Sequence, residues 1–208
     1  MKHLIHGLYA IVDTGVIPPD RFHNAASEVL LGGADLIQYR DKDQSPEQRY
    51  KQAIDLRQLC SQHSVPLIIN DDIELAAQVK ADGVHLGKSD ASILLARQIL
   101  GKKAIIGISC YNELSRVIAA WETGADYIAL GRFFPSITKP KPIFVSLDLL
   151  KEVREKVPLP IVAIGGITPQ NALPIIQGGA DAIAVIGGIF RHRNIRQQTI
   201  IYKKLFLG

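Results

Sequence analysis

Short apolar runs punctuate the chain at Leu8–Val12, Leu36–Tyr39, Leu67–Ile69, Val84–Leu86, Ala104–Ile108, Tyr127–Leu130, Ile161–Ile164 and Ala182–Ile186. Each is too short for a helix, is rich in Val and Ile, and lacks clean polar alternation. That pattern predicts parallel strands buried on both faces. Longer mixed segments lie between them. Pro46–His63 places Tyr50, Ala53, Ile54, Arg57 and Leu59 at helical spacing, and Ser89–Leu100 and Asn112–Thr123 follow the same rule. Pro169–Gln177 contains Pro174, which predicts a short or kinked helix.

A repeat runs through this alternation. Gly33-Ala34-Asp35, Ala81-Asp82-Gly83, Gly124-Ala125-Asp126 and Gly179-Ala180-Asp181 each stand just before an even-numbered strand. Glycine ends the helix and the small alanine lets the chain turn tightly into the strand. Eight strand–helix units with no Gly-rich dinucleotide fingerprint predict an α/β fold, a (β/α)₈ TIM barrel, with residues 1–208 as one domain. The alternative is a doubly wound open sheet.

Composition narrows the function. The chain has 208 residues, enough to bury roughly 70% of its unfolded surface in one core. Apolar residues are 47% and charged residues 21%, a globular balance. A net charge of +4 is too small to argue for nucleic acid, but it suits phosphorylated small molecules if focused in one cleft. No stretch approaches the ~20 apolar residues of a membrane span. Cys60 and Cys110 are far apart and lack metal-ligand spacing, and no signal peptide is evident, so the expected compartment is the reducing cytoplasm. A homo-oligomer is allowed, with no residue assigned to its interface.

In such barrels the reactive residues stand just after the strands. The ends here carry Asp13; Gln38-Tyr39-Arg40-Asp41-Lys42; Asn70-Asp71-Asp72; His85, Gly87 and Asp90; Gly107 and Ser109; Gly131 to Lys139; Gly165-Gly166; and Gly187-Gly188. If the second strand continues, Gln38, Arg40 and Lys42 share a face, where Arg and Lys can hold a pyrophosphate; the alternative is a solvated loop. Asp71 and Asp90, on adjacent strand ends, are hard oxygen ligands suited to Mg²⁺ together with substrate phosphates. Both could instead cap helices, and Asp72 could be the cap that frees Asp71. His85 is either catalytic or a satisfied hydrogen-bonding residue. Ser136, Thr138 and Lys139 offer hydroxyls and an ammonium to phosphate. Gly166 and Gly187 follow the last two strands, the usual phosphate position, although Gly165-Gly166 could equally be a tight turn. The stretch from Gly131 to Pro142 is long for a barrel connection and reads as a lid.

Taken in order, Gln38-x-Arg40-x-Lys42, Asn70-Asp71, Asp82-Gly83-Val84-His85-Leu86-Gly87 with Asp90, Gly107-x-Ser109, Pro135-Ser136-x-Thr138-Lys139 and Gly165-Gly166-Ile167 make the chain resemble the thiamine-phosphate synthase family over about nine-tenths of its length. The resemblance implies an aminopyrimidine diphosphate pocket from Gln38, Tyr39, Arg40, Asp41, Lys42, Asn70, Ser109 and Lys139. Arg40, Lys42, Ser109 and Lys139 would serve catalysis. It implies Mg²⁺ on Asp71 and Asp90, and a thiazole phosphate site from Ser136, Ile137, Thr138, Gly166, Ile186 and Gly187. The implied reaction joins a pyrimidine carbocation, left when pyrophosphate departs, to the thiazole nitrogen. That nitrogen carries no proton, so no strong general base is needed.

Three positions depart from the family's pattern. Ser136 replaces the usual Thr and keeps the hydroxyl. Ile186-Gly187-Gly188 replaces a Val-Ser-Ala-like run, leaving backbone N–H groups to bind. Tyr111 stands where many relatives have His, a residue that serves the related thiazole tautomerases. A tautomerase-like isomerase and a non-catalytic phosphate binder are the rival readings; the retained Lys42, Asp90 and Lys139 weigh against both.

Overall fold

A computed structural model describes residues 5–88, 90–135 and 144–207. Eight strands, β1 (Gly7–Asp13), β2 (Leu36–Arg40), β3 (Leu67–Asn70), β4 (Gly83–Leu86), β5 (Ile105–Tyr111), β6 (Tyr127–Gly131), β7 (Ile161–Ile164) and β8 (Ala182–Val185), pair in parallel and in chain order. β8 pairs with β1, so the sheet closes into a barrel rather than an open sheet. The connections carry α1 (Phe22–Leu31), α2 (Pro46–Gln62), α3 (Ile73–Gln78), α4 (Ile93–Leu100), α5 (Leu114–Glu122), α6 (Leu147–Lys156) and α7 (Leu173–Gln177). α8 (Gly187–Phe190) and α9 (Ile195–Lys204) follow the last strand.

Strand alternation explains the two cores. Tyr9, Ile11, Leu36, Ile68, Tyr127 and Val162 point inward and fill the barrel. Their neighbours Leu8, Ala10, Ile37, Leu67, Ile128 and Ile161 point outward against the helices. The helix starts are chemically marked. Ser45 accepts from Gln48 N–H with Pro46 behind it, Asp72 accepts from Leu75 N–H, and Ser92 accepts from Leu95 N–H. The Ser92 cap starts α4 at Ile93, four residues later than the segment read from the sequence. Pro174 falls in the first turn of α7, where it lacks no needed N–H, so it starts a short helix instead of kinking one.

The repeat before each even strand has a fuller structure than its glycine and alanine announce. The N–H groups of Ala34, Ala81, Ala125 and Ala180 each reach back five residues to a helix carbonyl, the Schellman closure. The aspartate that follows then grips one residue of the preceding odd strand twice. Asp126 N–H donates to the Ile106 carbonyl at 2.8 Å, and its carboxylate accepts from Ile106 N–H at 2.8 Å. Asp35 holds Leu8, Asp82 holds Leu67 and Asp181 holds Ile161 in the same way. A cation closes each clamp: Lys203 pairs with Asp35, Arg57 with Asp82, Arg97 with Asp126 and Arg154 with Asp181.

Candidate active site

The polar strand ends gather at the C-terminal mouth. β2 stops at Arg40, so Gln38 and Arg40 share the inward face by alternation, whereas Lys42 arrives from the loop and not from a continued strand. Arg40 donates to the Asp13 carboxylate at 2.7 Å, and that carboxylate is buried at the end of β1. Of the residues expected in the pocket, Tyr39 is turned away, and Asp41 lines the cleft beside Lys42 with its carboxylate already engaged. The alternation that aims Gln38 inward sends Tyr39 outward, where its ring meets Phe22 edge-on and its hydroxyl donates to Gln52. Asp41 is spent on the loop: its carboxylate accepts from Thr14 Oγ1 and from the N–H groups of Asp43 and Gln44. That turn is what brings Lys42 back over the mouth.

Lys42 Nζ pairs with Asp71, and Asn70 Nδ2 donates to the same carboxylate at 2.7 Å. Asp71 takes a left-handed backbone (φ +63°), an arrangement that costs energy for a non-glycine residue and is common at functional sites. Its N–H is held by the His85 carbonyl at 2.8 Å. Asp72 caps α3 and Ser92 caps α4, so neither Asp71 nor Asp90 is a helix cap. Asp90 instead accepts from Gly87 N–H at 2.5 Å. Its pKa is raised, first by burial and then by the neighbouring Asp71 carboxyl, which lies within hydrogen-bond reach. Two facing carboxylates beside one ammonium form a site short of positive charge. A cleft of about 440 Å³ opens over Lys42, Asn70 and Asp71. A separate cleft of about 360 Å³, between Arg21, Glu28 and Arg193, contains none of these residues.

Ser109 enters from β5. A bulge between Ser109 and Tyr111 re-aims the strand end, with Tyr111 at φ +56°. Arg116 on α5 fastens this wall, donating to the Ser109 carbonyl at 2.6 Å and to the Gly87 carbonyl at 2.8 Å. His85 lies inside the barrel, Nε2 2.9 Å from Ser109 Oγ and Nδ1 2.9 Å from the Tyr127 hydroxyl. Burial lowers its pKa to about 4, so it is neutral at physiological pH. The Tyr127 hydroxyl continues to Tyr9 at 3.0 Å, and Tyr9 accepts from Gln38 Nε2 at 2.7 Å. The strand pattern counted Tyr9 and Tyr127 only as apolar positions; two inward-facing tyrosines on strands that end in polar groups were the available signal. Gly107, read as part of a site motif, has a packing reason: a Cβ there would sit 1.9 Å from the Tyr127 ring.

On the other side of the mouth, Gly166 has φ +65°, and a Cβ on it would stand 2.5 Å from the Pro135 carbonyl. The glycine is thus required by the turn itself, whether or not an anion binds. Asn171 Nδ2 holds the Gly166 carbonyl at 3.1 Å. Ile186 precedes α8 and packs with Ile164 against the barrel interior, and Gly187 opens α8 beside Arg191. Ser136, Ile137, Thr138 and Lys139, with most of the expected lid, lie outside the described residues.

A closed parallel barrel with cations, carboxylates and hydroxyls drawn to the C-terminal ends of its strands defines an enzyme of the (β/α)₈ class. The chain belongs to the thiamine monophosphate synthase family, whose sequence profile matches residues 8–189. It is 59% identical to a thiamine-phosphate synthase of Nitrosococcus oceani over 206 residues, covering 99% of this chain and 95% of that one. It is 50% identical to one of Alcanivorax borkumensis, covering 90% and 87%. Among solved structures it superposes on thiamine phosphate pyrophosphorylase from Pyrococcus furiosus with a TM-score of 0.89 at 33% identity, covering 99% and 97%. A geranylgeranylglyceryl phosphate synthase from Thermoplasma acidophilum shares the fold alone, at 18% identity and TM-score 0.71. Among the described residues no helix is long and apolar enough to cross a membrane.

Proposed function

We infer that the protein is a thiamine-phosphate synthase, a transferase that joins 4-amino-2-methyl-5-hydroxymethylpyrimidine diphosphate to a thiazole phosphate and releases pyrophosphate. The observation that carries this is the convergence of Lys42, Asn70, Asp71 and Asp90 from three strand ends, in a chain of this family. The whole chain acts as one domain, in the cytoplasm, on these two small phosphorylated substrates.

The carboxylate pair suits Mg²⁺. Asp71 lies close enough to Asp90 to disfavour its charge, and a divalent cation held by the two would relieve that. When bound, the ion would neutralise negative charge on the diphosphate. The residues of the chain do the rest. Arg40 and Lys42 hold the diphosphate and favour the charge that grows as the C–O bond to pyrophosphate breaks and its electron pair leaves. Gln38, Asn70 and Ser109 orient the pyrimidine and its diphosphate. Lys139 adds charge to the leaving group, while Ser136, Ile137, Thr138, Gly166, Ile186 and Gly187 hold the thiazole phosphate so that its nitrogen forms the new C–N bond. A closing lid over the mouth excludes water that would otherwise trap the cation.

The test is a coupling assay with both substrates and Mg²⁺, reading thiamine phosphate and pyrophosphate. Stoichiometric appearance of both is expected, with loss of activity on exhaustive chelation and recovery on adding Mg²⁺. No coupling with either substrate in excess would end this reading.

A further inference from the structure

Five side chains form one unbroken line of hydrogen bonds through the barrel: Gln38 (β2), Tyr9 (β1), Tyr127 (β6), His85 (β4) and Ser109 (β5). Its two ends are at the mouth, and its middle is in the interior core, with Tyr9 1% and Tyr127 0% exposed. The placement is built into the packing, since Gly107 clears the space that the Tyr127 ring end fills. Each hydroxyl in the line has one proton, and an imidazole buried between two neutral hydroxyls carries one N–H. The line therefore has a direction.

That direction follows from Gln38. Its amide nitrogen can only donate, so the Tyr9 oxygen accepts there. The Tyr9 proton then has the Tyr127 oxygen as its acceptor, and the Tyr127 proton has His85 Nδ1. With Nδ1 occupied as acceptor, the imidazole proton stands on Nε2 and is donated to Ser109 Oγ. The proton of Ser109 and Oε1 of Gln38 are the two groups that the line itself does not use, one at each of its ends. In the opposite order the Tyr9 proton would meet an N–H of Gln38 head-on, a stranded buried donor. Inverting the amide would remove that conflict, but it would reverse every bond and move the imidazole proton to Nδ1.

We propose that Tyr9, Tyr127 and His85 are positioning residues that fix the hydrogen-bond code of the pocket, making Ser109 a donor and Gln38 Oε1 an acceptor toward the substrate ring. This inference rests on the reading of the mouth as an aminopyrimidine pocket. The matching ligand is a flat heteroaromatic with an exocyclic amino donor and a ring-nitrogen acceptor, which a 4-aminopyrimidine provides. A ring with a carbonyl in place of the amino group would set two acceptors against each other at Gln38 and be rejected.

The imidazole reports the direction without any substrate. ¹⁵N NMR of the full-length enzyme labelled at histidine, with His85 assigned by its loss in His85→Gln, should show the Nε2–H tautomer. The Nδ1–H tautomer in the wild type would overturn the proposal. In Tyr127→Phe, Nδ1 loses its donor, so the Nδ1–H form should become populated. The KM for the aminopyrimidine diphosphate should then rise about tenfold, the worth of a hydrogen bond or so, with kcat changed much less. Tyr9→Phe supplies the same measurement should Tyr127→Phe fold poorly. An unchanged tautomer together with an unchanged KM in a folded variant would also overturn it. An enzyme with no coupling activity but the Nε2–H tautomer would strike the functional reading and leave the direction of the line standing.

Discussion

The two ends of the barrel use the same kinds of residue in opposite ways. At the N-terminal end, four aspartates each hold an N–H and a carbonyl of one strand residue, and each is closed by one cation. The clamped N–H and carbonyl groups are paired within the protein, and the arrangement repeats every second strand. At the C-terminal end the first six strands each end differently, and only the last two share an Ile-Gly-Gly-Ile run. Asp71 sits in a left-handed backbone, Asp90 is pressed against it with a raised pKa, and Lys42 is shared between them. The difference is between charge that is finished by folding and charge left for a ligand to finish. The first should matter for stability and little for turnover, the second the reverse.

Lys42→Ala is the strongest test of the mouth. Removing one preorganised charge aimed at a developing anion costs roughly 10²–10³ in kcat. Lys42 is half exposed and makes its ion pair at the rim, so the folded state should hardly notice. Steady-state kinetics beside a thermal melt would decide it. A lowered melting temperature with normal kcat would place Lys42 with the structural charges and dissolve the contrast between the two ends.

His85 lies where the two behaviours meet. Its folded pKa is about 4 against 6.5 for the free side chain, because burial disfavours the imidazolium. Between those values the unfolded chain binds the proton and the folded one does not, so stability is full above about pH 6.5 and is lost as the pH falls through 4. The size is about 3 kcal/mol. Urea melts at pH 7 and pH 4.5 should show a smaller acid loss in His85→Gln than in the wild type. Equal losses would mean that the imidazole is protonated in the folded protein.

These ends were not equally legible in the sequence. All eight strands follow from short Val- and Ile-rich runs, because burial on both faces leaves no polar alternation to confuse the pattern. The repeat before the even strands was visible, but only its glycine and alanine explained themselves. The aspartate acts on the preceding strand, which lies beyond a whole helix in the sequence and meets it only when the two strands pair. Tyr39 and Asp41 belong to a motif read as a unit, yet strand alternation and a loop turn divide its members between the pocket and the scaffold. Tyr9 and Tyr127 read as core because their rings are core; their hydroxyl partners come from other strands.

Asp126→Ala should show the reverse of Lys42→Ala. The substitution removes a carboxylate that accepts from Ile106 N–H and pairs with Arg97. Arg97 keeps the carbonyls of Ala104 and Gly124, so its charge is not wholly abandoned. A loss of about 2 kcal/mol is expected from the unmet backbone donor and the broken pair. Denaturant melts should record it, with kcat and both KM values close to wild type. A collapse of activity in a folded protein would mean that the N-terminal end is coupled to the mouth.

The smallest effect probes one irregularity in the otherwise repeated end. Gly33, Gly124 and Gly179 take left-handed backbone where their helices close, with φ of +88°, +87° and +109°, but the fourth repeat has Lys80 there at φ +53°. A lysine in that conformation is strained by about 1–2 kcal/mol, which glycine avoids. Glycine also loosens the unfolded chain, which returns about 0.4–1 kcal/mol in the other direction. Lys80 is exposed and none of the clamp bonds uses its side chain, so no contact is forfeited. Lys80→Gly should therefore stabilise the protein, by about 0.5–1 kcal/mol, or a few degrees at most in Tm for a chain of this size. Gly124→Ala is the mirror experiment. A Cβ there meets nothing within 4 Å, so any loss is purely conformational and should be of similar size and opposite sign. A destabilised Lys80→Gly beside a destabilised Gly124→Ala would show that the four closures, alike in their hydrogen bonds, differ in what their αL position requires.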